Sequence, residues 1–255
     1  MYTKNFLAQY GSPSTREKLS AENGRHEPYL YGFQEPTKKM LDNSLDSSNY
    51  NARVTAIKTG KLDHEQVEKA LSKGDVHRHV LENYRLHPDK LKELAQKDTN
   101  NNHTSEIFDN ANHPSRPQSE RVHALRTLLN TDNPHITREM AYSAHDVPKE
   151  LHPEIVHKII SSNNAVNARR YVETNIGDHP DNTEKLLTHF PAEGAYSLHK
   201  FAARNSELKD SRIKDYLKDP ELHERLQTNM KLTNNQSRMV PGHIFSELDL
   251  LKREE

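Results

Sequence analysis

Glutamate and histidine pairs are the residues whose types and spacing come nearest to catalytic or metal chemistry in this sequence. Glu120 and His123 stand three residues apart, as do Glu154 and His157. Di-iron carboxylate bundles use this spacing, but they also need two further inward glutamates and four long helices. The sequence offers neither requirement, and basic residues flank both pairs. We therefore predict that these groups lie on a solvated surface and that the chain has no metal site.

The sequence also gives no support for a phosphate-binding loop, for thiol chemistry or for another histidine site. The eight glycines are never closer than eight residues apart, so a glycine-rich phosphate loop cannot form. The chain has no cysteine, which excludes disulfides, thiolate zinc sites and cysteine nucleophiles. His77 and His79 are two residues apart, and on a helix such residues point to different faces. We expect no catalytic residue and no cofactor, and we take the chain not to be an enzyme.

A recurring set of basic residues, the cation ladder, is the pattern that favours a binding surface. Its members stand at roughly equivalent places in successive helices: Arg53, Arg78, Arg126, Arg169, Arg170, Lys200 and Arg204. If those helices stack, equivalent positions line up along one surface, which would suit phosphate groups or an acidic partner. Acidic residues are interleaved with the ladder, so an ordinary charged helix surface is the alternative interpretation.

The overall composition limits both the core and the electrostatic reach of the protein. Hydrophobic residues make up 32% of the 255 residues, against roughly 45–50% in ordinary globular domains. A thin core that runs along an elongated body fits this shortage. The 36 basic and 37 acidic residues nearly cancel, so the whole chain exerts no net pull on nucleic acid or anionic membranes.

Apolar residues recur at helical spacing from about residue 49 onward. Four stripes place apolar residues at i, i+3 and i+4, which share one helix face, and they lie at 67–71, 91–95, 156–160 and 213–217. Short amphipathic helices precede the stripes and run into Gly60, Asn83, Asn130, Asn175 or Asn205. Glycine and asparagine most readily adopt the left-handed conformation that ends a helix.

Proline marks where the next helices begin. Four X-Pro-acid sequences place Pro88, Pro153, Pro180 and Pro220 at first helical positions, where the missing N–H costs nothing. Three of these prolines follow a histidine. The positive end of the helix dipole disfavours a charged imidazole there, so we expect neutral capping residues, with a pH switch as the alternative.

Helices of about 8 to 12 residues cannot persist alone in water, so they must stack on their neighbours. The sequence predicts an all-α fold, an α-solenoid of about five to six degenerate helix-pair repeats with an extended N-terminal arm. Residues 51–75, 76–97 and 164–187 resemble HEAT-like repeats and the variant helical repeats of bacterial and phage proteins. The resemblance implies an architecture and a tendency toward binding roles, and it transfers no catalytic residue.

Changes in composition divide the chain into four predicted segments. Residues 1–48 form an aromatic-containing arm with short helices near 14–22 and 35–45, and residues 49–227 form the helical-repeat domain. Residues 228–242 are predicted to be a polar linker. Residues 243–255 are predicted to form an amphipathic helix, whose apolar face would dock onto its own chain or a partner: Ile244, Phe245, Leu248 and Leu251.

These patterns favour a non-catalytic scaffold that binds other protein subunits within a larger assembly, such as a phage particle. A nucleic-acid-binding helical repeat that uses the cation ladder is the alternative. No stretch approaches the length of an apolar membrane helix, and the first residues do not resemble a signal peptide. We therefore expect a cytoplasmic or virion location and no contact with membranes.

Overall fold

The protein is helical throughout the part that the structure describes. The computed structural model covers residues 2–22, 35–174 and 180–244. About 70% of these residues are helical and none lies in a strand, which confirms the all-α fold class. Within the same ranges, none of the helices combines the length and hydrophobicity that crossing a membrane requires.

The described chain consists of two compact units. The first comprises Met1–Leu91 and Ser105–Ala111, and the second comprises Lys92–Thr104 and Asn112–Glu255. Eight helices carry the first unit and its borders: α1 (Tyr2–Tyr10), α2 (Pro13–Ser20), α3 (Lys38–Asp46), α4 (Tyr50–Lys58), α5 (His64–Ser72), α6 (His77–Asn83), α7 (Pro88–Lys97) and α8 (Thr104–Ala111). Within this unit α3 packs on α5 and α4 packs on α6.

The second unit repeats the same alternation over a longer stretch. Its helices are α9 (Gln118–Leu129), α10 (Pro134–Tyr142), α11 (His152–Ser161), α12 (Ala165–Thr174), α13 (Pro180–His189), α14 (Ala192–Asn205), α15 (Asp210–Tyr216), α16 (Pro220–Gln227) and α17 (Asn234–Ser237). Short 3-10 turns at Ala144–Asp146 and Lys149–Leu151 join α10 to α11. Helices α10, α12, α14 and α16 pack side by side as one row, and α9, α11 and α13 form another.

The predicted stripes are the faces that each helix buries. The stripes at 67–71 and 91–95 are buried throughout, which confirms the helical phase. The other two stripes lose one edge, because Ile160 and Leu217 are only half-buried. The same reasoning explains α3, which lies in the predicted N-terminal arm but packs against α4 and α5. Its buried side chains Met40, Leu41 and Leu45 form a stripe of the same kind.

The proline signals for helix starts are confirmed where the structure describes them. Helices α7, α13 and α16 begin at Pro88, Pro180 and Pro220, and Pro153 lies in the first turn of α11. Asp219 also caps α16, because its carboxylate accepts hydrogen bonds from the first free backbone N–H groups.

The signals for helix ends are partly wrong. Gly60 has a φ of 68°, as a left-handed stop requires. Asn83 and Asn205 instead remain helical, and their side-chain amides donate to backbone carbonyls four residues earlier. Asn130 has a φ of −80°. Asparagine can satisfy a helix end with its side chain, so it need not adopt the left-handed backbone. Asn175 lies outside the described residues.

Buried asparagine side chains tie the end of one helix to a later part of the chain. The Nδ2 amide of Asn229 donates to the carbonyls of Ala203 and Ser206, at 2.8 and 3.0 Å, where α14 ends. Asn133 does the same for Ala95 and Asp98, and Asn110 for Leu81 and Tyr84. Each pair of acceptors is three residues apart. We call these three asparagines the amide clamps.

A glutamine contact recurs in the two units with the same sequence offset. The side-chain oxygens of Gln66 and Gln236 accept the N-cap backbone N–H of their own helices at 3.1 Å. Their amides donate to carbonyls 28 residues earlier, at Lys38 and Leu208. Recurrence of such a contact is independent of the apolar stripes, so it supports internal repetition on its own.

Residues 228–242, predicted to be a polar linker, are a packed part of the second unit. Leu232 and Val240 are buried, and Thr233 forms a capping box with Gln236 at the start of α17. The polar residues that resemble a linker in the sequence serve here as caps and as one amide clamp. The linker prediction is therefore wrong. The polar residues of this segment form buried hydrogen bonds, which hold it in place although it has few apolar residues.

Two buried histidines each share a hydrogen bond with a tyrosine. His152 Nδ1 lies 2.7 Å from the hydroxyl of Tyr171, and His199 Nδ1 lies 2.7 Å from that of Tyr216. The Nε2 atom of His199 faces the carbonyl oxygen of Phe190, also at 2.7 Å. This arrangement suits a neutral imidazole that donates through Nε2 and accepts at Nδ1. Burial lowers the pKa of His199 below its ordinary value of 6.5.

We predict that His199 lowers the stability of the folded protein as the pH is lowered. Because its pKa is lower in the folded chain, the unfolded chain binds more protons below about pH 6.5, and stability is lost as pH falls through that region. Chemical unfolding at several pH values should show a shallower loss for His199→Gln than for the parent. The exposed His157→Gln is the control, and parallel curves for the parent and His199→Gln would refute the prediction.

Candidate binding site

Most of the cation ladder is already paired with carboxylates of the same chain. The partners are Asp75 for Arg53, Glu82 and Glu106 for Arg78, Glu154 for Arg126, Glu173 for both Arg169 and Arg170, and Glu221 for Lys200. Arg53 is also buried, and it donates to the backbone carbonyl of Ser47. Much of the ladder therefore ties neighbouring helices together and is not free to meet a ligand.

The ladder residues lie in different rows and units. Arg53 and Arg78 belong to α4 and α6 of the first unit. Arg126 lies on α9, in the row that includes α11, and its partner Glu154 is on α11. The residues on α12 and α14 occupy adjacent helices of one row. Arg53 and Arg78 also lie on helices that pack together, but Arg53 is buried and unavailable to a ligand.

A groove across α12, α14 and α16 collects the remaining basic side chains. It has a volume of about 400 Å³ and is lined by Arg169, Ser197, Lys200, Phe201, Arg204, Asn205 and Arg225. Five of these residues lie on α14 at spacings of three and four, which places them on one helix face. The other two come from the helices on either side. We call this feature the cationic groove.

The charges of the cationic groove are only partly neutralised. Glu173 pairs with Arg169 at 2.7 Å, and Glu221 pairs with Lys200. Arg204 is exposed, and its side chain has no ion pair or hydrogen bond with any described residue. The closest Arg225 nitrogen lies 3.9 Å from Glu221, and its buried Nε has no acceptor in the described part of the chain. The groove thus keeps guanidinium donors that its own carboxylates do not use.

Contacts between α14 and α16 fix the geometry of the groove. The hydroxyl of Tyr196 donates to Asp219 at 2.9 Å, and the amine of Lys200 lies 4.7 Å from the centre of the Tyr196 ring. Burial and the nearby carboxylate of Asp219 raise the pKa of Tyr196 to about 12. The backbone N–H of Leu222 is the largest cause that lowers the pKa of Asp219. Tyr196 therefore stays a protonated donor at neutral pH, and Asp219 stays an ionised acceptor.

A second cavity, of about 650 Å³, lies on the α11 and α13 side of the same unit. Its charged residues carry both signs: Asp181, Glu184, Lys185 and Lys209. Lys209 lies 3.2 Å from Asp181, and Glu184 accepts from Arg212 at 2.6 Å. Because these pairs neutralise most of the lining, this cavity shows less preference for a charged ligand than the cationic groove does.

The glutamate and histidine pairs lie on the surface, as predicted. Glu120, His123 and His157 are exposed, and Glu154 is engaged by Arg126. Across residues 2–22, 35–174 and 180–244, no three histidine or carboxylate side chains converge as metal ligands. The other histidine pair separates, since His77 contacts the carbonyl of Leu71 whereas His79 contacts the hydroxyl of Tyr50.

The predicted C-terminal docking face is represented by one side chain. Ile244 is 36% exposed. Phe245, Leu248 and Leu251 lie outside the described residues. Three of the other exposed apolar side chains in the described chain lie on α1, namely Phe6, Leu7 and Tyr10, and the rings of Phe6 and Tyr10 are 5.0 Å apart. The rest stand singly, at Tyr50, Val166 and Met230.

Arg225 is the groove residue that the sequence interpretation missed. It lies on α16. Residues 225–229 read Arg-Leu-Gln-Thr-Asn and residues 171–175 read Tyr-Val-Glu-Thr-Asn. When these sequences are aligned at Thr-Asn, Arg225 falls opposite Tyr171 and not opposite a ladder residue. The sequence pattern therefore gives no signal for this arginine, which reaches the groove through helix packing.

We predict that Arg204 reacts with phenylglyoxal faster than Arg212 does. Arg204 is exposed and unpaired in the described chain, whereas the Arg212 side chain is 17% exposed and bound to Glu184. Peptide mass spectrometry after brief modification of the folded protein measures both rates, and modification of the unfolded chain provides the control. Equal protection of the two arginines in the folded protein would contradict the described groove.

Comparison of the chain with protein-family models, with curated proteins and with solved structures finds no match in any of the three.

Proposed function

We propose that the chain is a non-catalytic α-solenoid scaffold that binds another protein within a larger assembly. The observation that carries this proposal is the cationic groove on three adjacent helices of one row. Adjacent helices in a stacked array present equivalent positions along one surface, and such surfaces serve as extended binding sites. The HEAT-like resemblance of residues 51–75, 76–97 and 164–187 accords with the same role.

Support for the solenoid comes from contacts that recur along the chain. The rows α10, α12, α14, α16 and α9, α11, α13 are the arrangement expected when helix pairs stack in sequence. The amide clamps and the matching contacts of Gln66 and Gln236 repeat the same chemistry between neighbouring parts. About five to six degenerate repeats remain our proposal for their number.

The state of the cation ladder favours a protein partner over nucleic acid. Proteins that bind a phosphate backbone need several lysines and arginines free to replace its counterions. Here Arg78, Arg126 and Arg170 already have carboxylate partners, and the net charge of the chain is −1. A protein segment of limited charge needs only the few donors that the groove leaves free.

Nucleic-acid binding is the second candidate, and the unused guanidinium donors favour it. Arg204 is unpaired, and Arg225 has a buried Nε without an acceptor, in the described chain. Phosphate oxygens would satisfy both groups as well as carboxylates would. The test of function must therefore separate retained protein from retained nucleic acid.

Capture from the native source with the tagged full chain, with and without nuclease, tests the proposed function. We expect a protein that survives nuclease treatment and then forms a stoichiometric complex with the purified chain in sedimentation velocity. Leu198→Ala, at a fully buried position of α14, should cost about 2–5 kcal/mol of stability and weaken that complex. The exposed Lys185→Ala on α13 should leave it unchanged.

Two outcomes would contradict the proposal. Retention that disappears with nuclease would assign the chain to the nucleic-acid class. A captured protein that binds the parent and Leu198→Ala equally would show that the second unit's helix row does not hold the binding surface.

A further inference from the structure

We propose that the cationic groove binds a short acidic peptide segment, with carboxylates at Arg204 and Arg225. This inference rests on the proposed function as a protein-binding scaffold, and it names the chemistry of the partner. The groove is formed by side chains from α12, α14 and α16, and its volume of about 400 Å³ falls in the range of sites that hold small groups.

The two arginines are the groups that a ligand would engage. Arg204 is exposed, and its guanidinium meets no described carboxylate or carbonyl. Arg225 is half-buried, and its Nε is shielded from solvent without a hydrogen-bond acceptor in the described chain. The Arg225 side chain as a whole is 40% exposed, and the nearest carboxylate oxygen, on Glu221, is 3.9 Å from its terminal nitrogen. An anion in the groove can therefore approach the terminal nitrogens of Arg225 without moving its buried Nε.

The groove walls already show how a carboxylate is held there. Glu173 lies between Arg169 and Arg170, with nitrogen to oxygen distances of 2.7 and 2.8 Å. Glu221 lies at the opposite side, against Lys200. Arg204 lies on α14, the helix that packs between α12, which carries Glu173, and α16, which carries Glu221. A ligand carboxylate at Arg204 would continue the same alternation of charge across the row.

Those same glutamates disfavour a nucleic-acid backbone. A strand that crossed from α12 to α16 would bring a run of phosphates past Glu173 and Glu221, and like charges in such proximity repel. A peptide can place uncharged residues beside the two glutamates and acidic residues beside the two arginines. The half-buried ring of Phe201 in the groove offers an apolar contact for those uncharged residues.

The preformed edge of the groove supports a ligand that binds without large rearrangement. Tyr196 and Asp219 join α14 to α16 at 2.9 Å, and Asp219 also caps α16 through two backbone N–H groups. Arg225 projects from that capped helix. A groove whose helices are already tied together loses less entropy when a ligand binds.

Fluorescence anisotropy with the full chain and a short labelled polyglutamate peptide tests this inference. A polyglutamine peptide of equal length and an oligothymidylate of equal charge are the comparison probes. We expect saturable binding of polyglutamate, weaker binding of both other probes, and lower affinity in higher salt. The double variant Arg204→Gln/Arg225→Gln should bind polyglutamate about tenfold more weakly, as loss of charge pairs at an interface predicts.

Matched variants separate the groove from general charge. Lys158→Gln/Lys185→Gln removes two positive charges from α11 and α13, and it should change polyglutamate affinity by less than about twofold. Circular dichroism checks that each variant is folded. The single variant Arg204→Gln, at an exposed position, gives a second reading if the double variant is unstable, and it should also weaken binding.

Three results would overturn the inference. These are no saturable polyglutamate binding, equal losses in the two double variants, and tighter binding of the oligothymidylate. If any of these results is found and the capture experiment still yields a protein after nuclease treatment, the scaffold function is supported but its binding surface lies elsewhere. If polyglutamate binds in the groove but no protein is captured from the native source, the proposed function is refuted and the binding site is supported.

Discussion

The helices of this protein are too short to be stable alone, and the rest of the structure follows from that constraint. Most span seven to twelve residues, and isolated helices of that length do not persist in water. Each must bury one narrow stripe against a neighbour and find partners for the backbone carbonyls at its end. The amide clamps meet the second need, since each buried asparagine holds two terminal carbonyls of an earlier helix.

Packing between neighbouring helices also explains how a protein with only 32% hydrophobic residues presents a defined surface. Helices α12, α14 and α16 are held side by side by buried stripes, by Asn229 at one end and by Tyr196 with Asp219 at another. Their outward faces then stand in a fixed relation. The cationic groove is the consequence, because side chains far apart in sequence, from Arg169 to Arg225, line one depression.

The sequence predicted the features that depend on local chemistry. The X-Pro helix starts and most of the stripe residues agree with the structure, because spacing and proline stereochemistry act within one turn. The linker at 228–242 was read wrongly, because Asn229 and Thr233 look like loop residues until their hydrogen-bond partners are known. The groove was only half predicted. The pairs of Arg169 and Arg170 with Glu173 lie within α12 at spacings that the sequence itself shows. The pair of Lys200 with Glu221 joins α14 to α16, and it depends on helix packing that spacing does not reveal.

Hydrogen exchange on the full chain carrying Asn229→Ala tests the central claim, that each helix is stabilised chiefly by its immediate neighbours. Loss of the clamp leaves two buried carbonyls without their donor, at a cost of about 1–3 kcal/mol. We predict faster amide exchange in α14, α16 and α17, little change in α9 and α10, and no change for the exposed control Asn235→Ala. Uniformly faster exchange throughout the second unit would show a single cooperative core and contradict the account.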